Sequence, residues 1–333
     1  MTTLGTTAAI FGCLGPTLLP DEIAFFRDAD PFGFIVFARN VENPDQLYRL
    51  TSDLRATVGR DALVLVDQEG GRVQRLRSPH WREWTPPLDA ITGAPNLAAA
   101  CRRIALRATL IAAELRAVGI DANCAPVADI ATDATHPFLR NRCYGTDATS
   151  VTAISRAVAD ASLAAGVLPV IKHLPGHGRA AGDTHLDLPT VTTDAATLNT
   201  TDFVPFRALA DLPMAMTAHI IYAAFDPENP ATQSPRMIDV IRQDIGFHGL
   251  LMTDDLNMQA LSGTLSERTK RSMNAGCDIA LHCKGDMDEM RAVAAAAGRM
   301  RQDTLARAAR AIAMRIAPPP LDIRAIEAAL AHA

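Results

Sequence analysis

The stretch LVLVD, residues 63–67, decides the fold, because four apolar residues in an unbroken run end there in a carboxylate. An unbroken apolar run, without polar alternation, is typical of a parallel strand that helices cover on both faces. Runs of the same kind return at residues 33–37, 122–126, 168–172, 215–219, 249–254 and 279–281. Segments with helical spacing lie between them, at residues 44–58, 97–118, 149–165, 237–244 and 265–275. This alternation predicts successive βα units and an α/β fold.

The number of these units predicts a single (β/α)8 barrel of the TIM type, with one irregular βα unit. A doubly wound open sheet is the alternative. Four helices are followed by Gly119, Gly166, Gly246 and Gly276, where a left-handed helix cap is typical. No Gly/Ser-rich linker divides the chain, so residues 1–333 are predicted to form one barrel domain. The prolines at 318–320 cannot continue a helix, so they are expected to separate one long Ala-rich helix from a helical tail that starts at about residue 318.

Composition excludes several classes of protein. The chain of 333 residues is 48% hydrophobic and 21% charged, which argues against disordered, collagenous and coiled-coil proteins. Its net charge is −5 with no basic block, so nucleic acid is not an expected partner. No run reaches the roughly 18 apolar residues of a membrane span. The six cysteines are scattered and no secretory signal is apparent, so we expect reduced thiols and a cytoplasmic location.

Polar side chains stand where the apolar runs stop. They are Asp67, Asp129, Lys172, His173, His219, Asp254 and Asp255. In a parallel barrel these strand ends converge on the face that carries the active site. The segment VDQEGGRVQRL, residues 66–76, adds two glycines and two arginines that suit a polyol, since carboxylate and guanidinium groups both bind oxygen-rich ligands. Phosphate is less favoured, because the segment lacks both a P-loop lysine and a GxGxxG pattern.

The segment KHLPGHGRAAGDTHLDLP, residues 172–189, is predicted to be a functional loop, given its density of glycine, proline, histidine and aspartate. Two chemistries fit it. In one, a divalent metal is bound by Asp183, His185 and Asp187, or by His173 and His177. In the other, Asp183 orients His185 as a proton donor. Spacing alone leaves both open.

Several motifs together resemble glycoside hydrolase family 3, and specifically its bacterial β-N-acetylhexosaminidases. VIRQDIGFHGLLMTDDLN, residues 240–257, resembles the family's nucleophile signature, and KHLPGHG followed by DTH resembles its acid/base loop. The likeness continues through FARN (37–40), DQEGGRV (67–73), APVAD (125–129), NRCYG (141–145) and MTAHIIY (216–222). It departs from the usual pattern at Leu174, at Cys143 with Tyr144, and at Thr184, mostly with conservative changes.

The resemblance implies a role for each matching residue. Asp254 would be the nucleophile, and Asp183 with His185 the acid/base dyad. Asp67, Arg75, Arg142, Lys172 and His173 would hold the terminal sugar. It implies no cofactor and no metal.

The activity implied is removal of terminal, non-reducing β-linked N-acetylglucosamine with retained configuration, from muropeptide or chitobiose-type substrates, in cell-wall recycling. Relatives with a second domain take their acid/base carboxylate from it, and this chain is expected to lack that domain. A metal-dependent barrel hydrolase and a non-catalytic sugar-binding protein are the alternatives. From strand alternation alone, Asp255 rivals Asp254 as nucleophile.

Other polar or aromatic residues have plainer interpretations. We expect His219 and Asp129 to complete hydrogen bonds at the barrel mouth at least as readily as to touch substrate. Trp81 and Trp84 suit either stacking on a sugar or covering the barrel. His136 has no motif context and is expected to be structural or exposed.

Overall fold

The computed structural model describes residues 4–180, 188–318 and 320–333. Within these ranges eight parallel strands close into a barrel in which each strand pairs with its neighbours in the sequence and the last pairs with the first. The strands are β1 (Thr7–Gly12), β2 (Pro31–Val36), β3 (Leu63–Val66), β4 (Ala122–Asn123), β5 (Leu168–Leu174), β6 (Met214–Thr217), β7 (Leu250–Asp255) and β8 (Ile279–His282). The (β/α)8 prediction is confirmed, and the open sheet is wrong.

Two strands explain why one unit looked irregular. β1 was missed by the pattern because its sequence, TAAIFG, has small residues and no polar end, yet five of its six residues are buried. It pairs with both β2 and β8 and so closes the barrel. β4 is only two residues long, although it still pairs with β3 and β5.

Helices surround the barrel. They are α1 (Pro20–Ala29), α2 (Pro44–Val58), α3 (Pro87–Ile91), α4 (Leu97–Ala117), α5 (Pro137–Arg140), α6 (Ala148–Ala164), α7 (Ala195–Thr200), α8 (Val204–Ala208), α9 (Pro235–Asp239), α10 (Leu265–Ala275), α11 (Met287–Ala297), α12 (Gln302–Ala313) and α13 (Ile323–Ala331). The bounds of α2 and α10 are those predicted. Sharp N-caps explain this, since Asn43 accepts from the Gln46 amide and Thr264 from the Glu267 amide.

Two helical segments differ from prediction. Residues 237–244 divide into the end of α9 and one π-helical turn, Val240–Asp244. The Ala-rich segment before the prolines was expected to be one helix but is two, α11 and α12. The backbone between them pairs with the start of β1, where Gly298 accepts from the Ala8 amide and Met300 donates to Thr6. Gly298 has φ +64, a conformation that favours glycine.

The amino end of the barrel is built around Asp278, whose side chain is fully buried. Its carboxylate accepts hydrogen bonds from Arg242 at 2.7 Å, Arg307 at 2.8 Å, Thr304 at 2.9 Å and the Leu251 amide at 3.0 Å. Four donors satisfy a charge that would otherwise be costly to bury. Because Leu251 is on β7, this network anchors the strand that carries Asp254 at its other end.

Helix α13 packs against α4, and Arg103 of α4 donates to the Ala333 carbonyl at 2.6 Å. None of the helices in the described ranges has the length and apolar character to cross a membrane. All six cysteines are free.

Candidate active site

The carboxyl ends of the strands surround a cavity of about 150 Å³. Six of the residues that the sequence assigns to the site line it together, namely Asp67, Arg75, Arg142, Lys172, His173 and Asp254. Apolar side chains form the rest of its wall, among them Ile35, Phe37, Val73, Met216, Met258 and Leu281. Asp183 and His185, the other two predicted residues, lie outside the described residues.

Asp67 follows β3 directly and binds two cations. Its Oδ1 lies 2.9 Å from the Lys172 Nζ, and its Oδ2 accepts from Arg75 Nη2 at 3.0 Å. Burial would raise the pKa of Asp67, but Lys172 and Arg75 outweigh it and hold that pKa below its usual range. Burial would likewise lower the pKa of Lys172, and Asp67 with Glu69 raises it. Carboxylate and ammonium therefore both remain charged at neutral pH.

Glu69 is the site residue that the sequence interpretation missed. It is only 3% exposed, and it accepts from both Nε and Nη2 of Arg142 at 2.8 Å, while the Lys172 Nζ lies 2.6 Å from its Oε1. Burial would raise its pKa, yet Arg142 and Lys172 lower it to about 2. Glu69 thus binds two cations that line the cavity, Arg142 and Lys172, without lining the cavity itself. Its signal was the second carboxylate of DQEGGRV, two residues after Asp67.

A tight hairpin carries Glu69 and Arg75, with strands Gln68–Gly70 and Val73–Gln74. Gly70 has φ +108, and a Cβ there would lie 1.8 Å from Arg107 Nη2. That guanidinium donates to the Glu69 carbonyl at 2.7 Å. Glycine is therefore required at position 70 for both conformation and close packing.

Asp129 organises two histidines of the 172–189 segment. Its Oδ2 lies 2.7 Å from His173 Nδ1, and its Oδ1 accepts from the His177 amide at 2.7 Å. Burial would raise the pKa of Asp129, but His173 and these hydrogen bonds lower it. Burial also lowers the pKa of His177 to about 4. Asp129 thus completes hydrogen bonds, as expected, and fixes the ring of a cavity-lining histidine.

The adjacent carboxyl groups of Asp254 and Asp255 both line the cavity but differ chemically. Burial would raise the pKa of Asp254, and His219, His173, the Asp255 amide and Lys172 together lower it. The pKa of Asp255 is raised to about 6, mainly by burial and further by Asp254, although its Oδ1 accepts from the Asn257 and Cys283 amides. Asp254 therefore stays ionised to a lower pH than Asp255 does.

Sequence analysis did not assign His136, Phe138 and Cys283 to the site, yet they also line the cavity. His136 is the N-cap of α5, and its Nδ1 accepts from the Phe138 amide at 3.2 Å. Trp81 and Trp84 do not line the cavity, and both pack against the main hydrophobic core, so they cover the barrel.

Among the described residues there is no group of three His, Cys, Asp or Glu side chains arranged to hold a metal ion. Of the two predicted metal sets, His173 and His177 are described, and Asp129 contacts the ring of His173 and the backbone amide of His177. The other set, Asp183, His185 and Asp187, lies outside the described ranges.

A closed parallel barrel that presents a carboxylate, a lysine and arginines around one small cavity at its strand ends defines a TIM-barrel enzyme for a polar, oxygen-rich substrate. Comparison with known proteins specifies the class. The family model for the glycosyl hydrolase family 3 N terminal domain matches residues 28–314. The chain belongs to glycoside hydrolase family 3, and within it to the bacterial β-N-acetylhexosaminidases.

Curated relatives agree with this assignment. A β-hexosaminidase of Methylococcus capsulatus is 37% identical over 281 residues, which cover 82% of each chain. A β-hexosaminidase of Xylella fastidiosa is 36% identical over 294 residues, 86% of each chain.

Solved structures of family 3 enzymes are also similar to this chain. NagZ from Neisseria gonorrhoeae, in complex with N-trifluoroacetyl-D-glucosamine, aligns with a TM-score of 0.86 at 27% identity over 100% of this chain and 99% of that one. A family 3 β-N-acetylglucosaminidase from Paenibacillus aligns with a TM-score of 0.83 at 28% identity. That alignment covers 96% of this chain and 62% of the Paenibacillus chain.

Proposed function

We propose that this glycoside hydrolase removes terminal, non-reducing β-linked N-acetylglucosamine with retention, through a covalent intermediate on Asp254. The observation that carries the proposal is the ionised Asp254 in the same small cavity as Asp67, Arg75, Lys172 and Arg142. The Neisseria neighbour, whose complex contains an N-acylated glucosamine, supports the choice of sugar.

The cavity residues suit a single sugar ring. Asp67 can accept hydrogen bonds from neighbouring hydroxyls, while Arg75, Lys172 and Arg142 donate to ring substituents. Since Asp67 is already held at both oxygens by Arg75 and Lys172, its position is fixed before substrate arrives. A preorganised site of this kind spends little binding energy on ordering its own side chains.

In the first chemical step, a carboxylate oxygen of Asp254 attacks the anomeric carbon while the bond from that carbon to the leaving oxygen breaks. We propose that His185, oriented by Asp183, gives its proton to the departing oxygen. In the second step His185 takes a proton from water, whose oxygen attacks the same carbon and releases Asp254. Imidazole suits both roles, because its unperturbed pKa of about 6.5 lies near neutrality.

The glycosidase template with two carboxylates needs a second acid/base group. Asp255 is the neighbouring candidate, but its Oδ1 is occupied by two backbone amides. Asp183 and His185 are assigned to this role because DTH, residues 183–185, resembles the acid/base motif of family 3. Muropeptides released during cell-wall recycling are the proposed natural substrates, and a single catalytic domain spanning residues 1–333 stays a prediction.

A panel of aryl β-glycosides that differ only at the 2-substituent tests the proposal. We expect the highest kcat/KM for the N-acetylglucosaminide, a loss for the glucoside, and a β-configured first product by proton NMR. The α-glycosides serve as the control and should not react. Preference for the glucoside would overturn the proposed substrate, and an α-configured first product would overturn the covalent intermediate.

A further inference from the structure

Asp255, directly after the proposed nucleophile, is held through its amide, its side chain and its carbonyl. Its amide donates to Asp254 Oδ1 at 2.8 Å, and its own Oδ1 accepts from the amides of Asn257 and Cys283 at 3.1 and 3.2 Å. Its carbonyl accepts from the Met258 amide and from His219 Nε2, both at 3.1 Å. Of these contacts, only the last comes from a side chain of another strand end.

The surroundings of His219 hold its ring in contact with the Asp255 carbonyl. It is 1% exposed and does not line the cavity. A carbonyl only accepts, so Nε2 carries a proton and donates it to Asp255. Nδ1 lies 2.7 Å from the Thr232 hydroxyl, which also donates to the Ala218 carbonyl at 3.0 Å and lies 2.8 Å from the Thr217 hydroxyl. These buried hydroxyls thus fix the orientation of the ring.

We propose that His219 is a positioning residue, which holds the Asp255 carbonyl so that the Asp254 carboxylate points at the anomeric carbon. The proposal rests on the proposed role of Asp254. The β7 strand is anchored at its other end by Asp278, and at the reacting end His219 adds a side-chain contact to the backbone amides that hold Asp255. Misplacement of a nucleophile by about 1 Å can cost about 100-fold in rate.

Two isosteric variants separate this role from general support of the fold. His219→Asn keeps a polar atom near Thr232 but cannot reach the Asp255 carbonyl, whereas His219→Gln keeps a donor near the Nε2 position. We expect His219→Asn to lower kcat for an aryl β-N-acetylglucosaminide at least about tenfold with KM within about twofold, and His219→Gln to recover most of kcat. His248→Asn, at an exposed position, is the matched control and should change neither constant.

The pH profile distinguishes positioning from proton transfer. The basic limb of the kcat profile should stay in place in His219→Asn, and loss of that limb would overturn the proposal, whereas the acidic limb should move to higher pH because His219 helps to lower the pKa of Asp254. Unchanged kcat, or a change confined to KM, would overturn it as well. Should His219→Asn not fold, Thr232→Val removes the hydrogen bond that orients the ring, and unchanged kcat in that variant would contradict the proposal equally.

Trapping of the covalent intermediate distinguishes a wrong role for His219 from a wrong assignment of the nucleophile. A 5-fluoro-N-acetylglucosaminyl fluoride should label Asp254 in the wild type and label it more slowly in His219→Asn, as peptide mapping would show. A label on another residue would overturn the assignment of the nucleophile. A label on Asp254 at an equal rate in both proteins would leave that assignment intact and overturn the role of His219.

Discussion

Both oxygens of Glu69 accept hydrogen bonds from Arg142, from Nε and from Nη2, each at 2.8 Å. The same carboxylate lies 2.6 Å from the Lys172 Nζ, which also binds Asp67. A chain of alternating charges therefore runs from Arg75 through Asp67, Lys172 and Glu69 to Arg142. Glu69 does not line the cavity, so it acts by holding two cations that do.

Glu69→Gln keeps the shape of the side chain and removes its charge. We expect a loss of about 3 kcal/mol in the free energy of unfolding, because one partner of a buried ion network is removed, and a KM for the aryl N-acetylglucosaminide at least about tenfold higher. Denaturant unfolding and steady-state kinetics measure both. Glu83→Gln, which breaks the exposed pair with Arg77, is the control and should cost under about 1 kcal/mol. Unchanged KM in Glu69→Gln would contradict the positioning role.

Asp67 and Glu69 show which site residues can be predicted from the sequence alone and which cannot. Asp67 was predictable, because a carboxylate at the end of an apolar run must lie at the carboxyl end of a barrel strand. Glu69 was not, because its partner Arg142 is 73 positions away and meets it only when the barrel closes. The missed strand β1 has the same cause, since Thr7–Gly12 is defined by its pairing with β2 and β8 and only weakly by its own composition.

The two neighbouring aspartates should respond differently to removal of their charge. Asp254→Asn is expected to lower kcat at least about 1000-fold, since an amide cannot form the glycosyl ester. Asp255→Asn keeps an oxygen that accepts from the Asn257 and Cys283 amides, so its kcat should fall less than about tenfold. Steady-state kinetics with circular dichroism of both variants decides the matter. If Asp255→Asn were inactive and Asp254→Asn active, Asp255 would be the nucleophile.

Asp255 also predicts a pH dependence of stability. Its pKa is about 6 when folded against an ordinary value of 3.8, so the unfolded chain releases this proton at lower pH than the folded protein does. The contribution of Asp255 to the free energy of unfolding therefore falls as pH rises from about 4 to about 6, by about 3 kcal/mol, and no further above that. In urea titrations, the free energy of unfolding of Asp255→Asn should therefore increase relative to that of the wild type as pH rises from about 4 to about 6. A gap that does not change with pH would contradict the prediction, and exposed Asp239→Asn serves as its control.

Chelation tests the alternative metal chemistry of the 172–189 segment. The proposed steps use only a carboxylate, an imidazole and water, so dialysis against EDTA should leave kcat/KM within about twofold. The control is the chelated enzyme with Mg²⁺, Mn²⁺ or Zn²⁺ restored. Loss of activity that a divalent ion recovers would favour a metal-dependent hydrolase.

The acid role of His185 predicts a dependence on the leaving group. A strongly acidic phenol such as 2,4-dinitrophenol departs without a proton, whereas unsubstituted phenol needs one, and general acid catalysis is typically worth about 100- to 10,000-fold. His185→Ala should therefore lose at least about 100-fold in kcat/KM on the phenyl N-acetylglucosaminide and less than about tenfold on the dinitrophenyl one. The constant kcat/KM is the right readout because it reports on the first bond-breaking step. His332→Ala, at an exposed position in the last residues of the chain, should match the wild type on both substrates. Equal losses on the two substrates would show that His185 does not protonate the leaving oxygen.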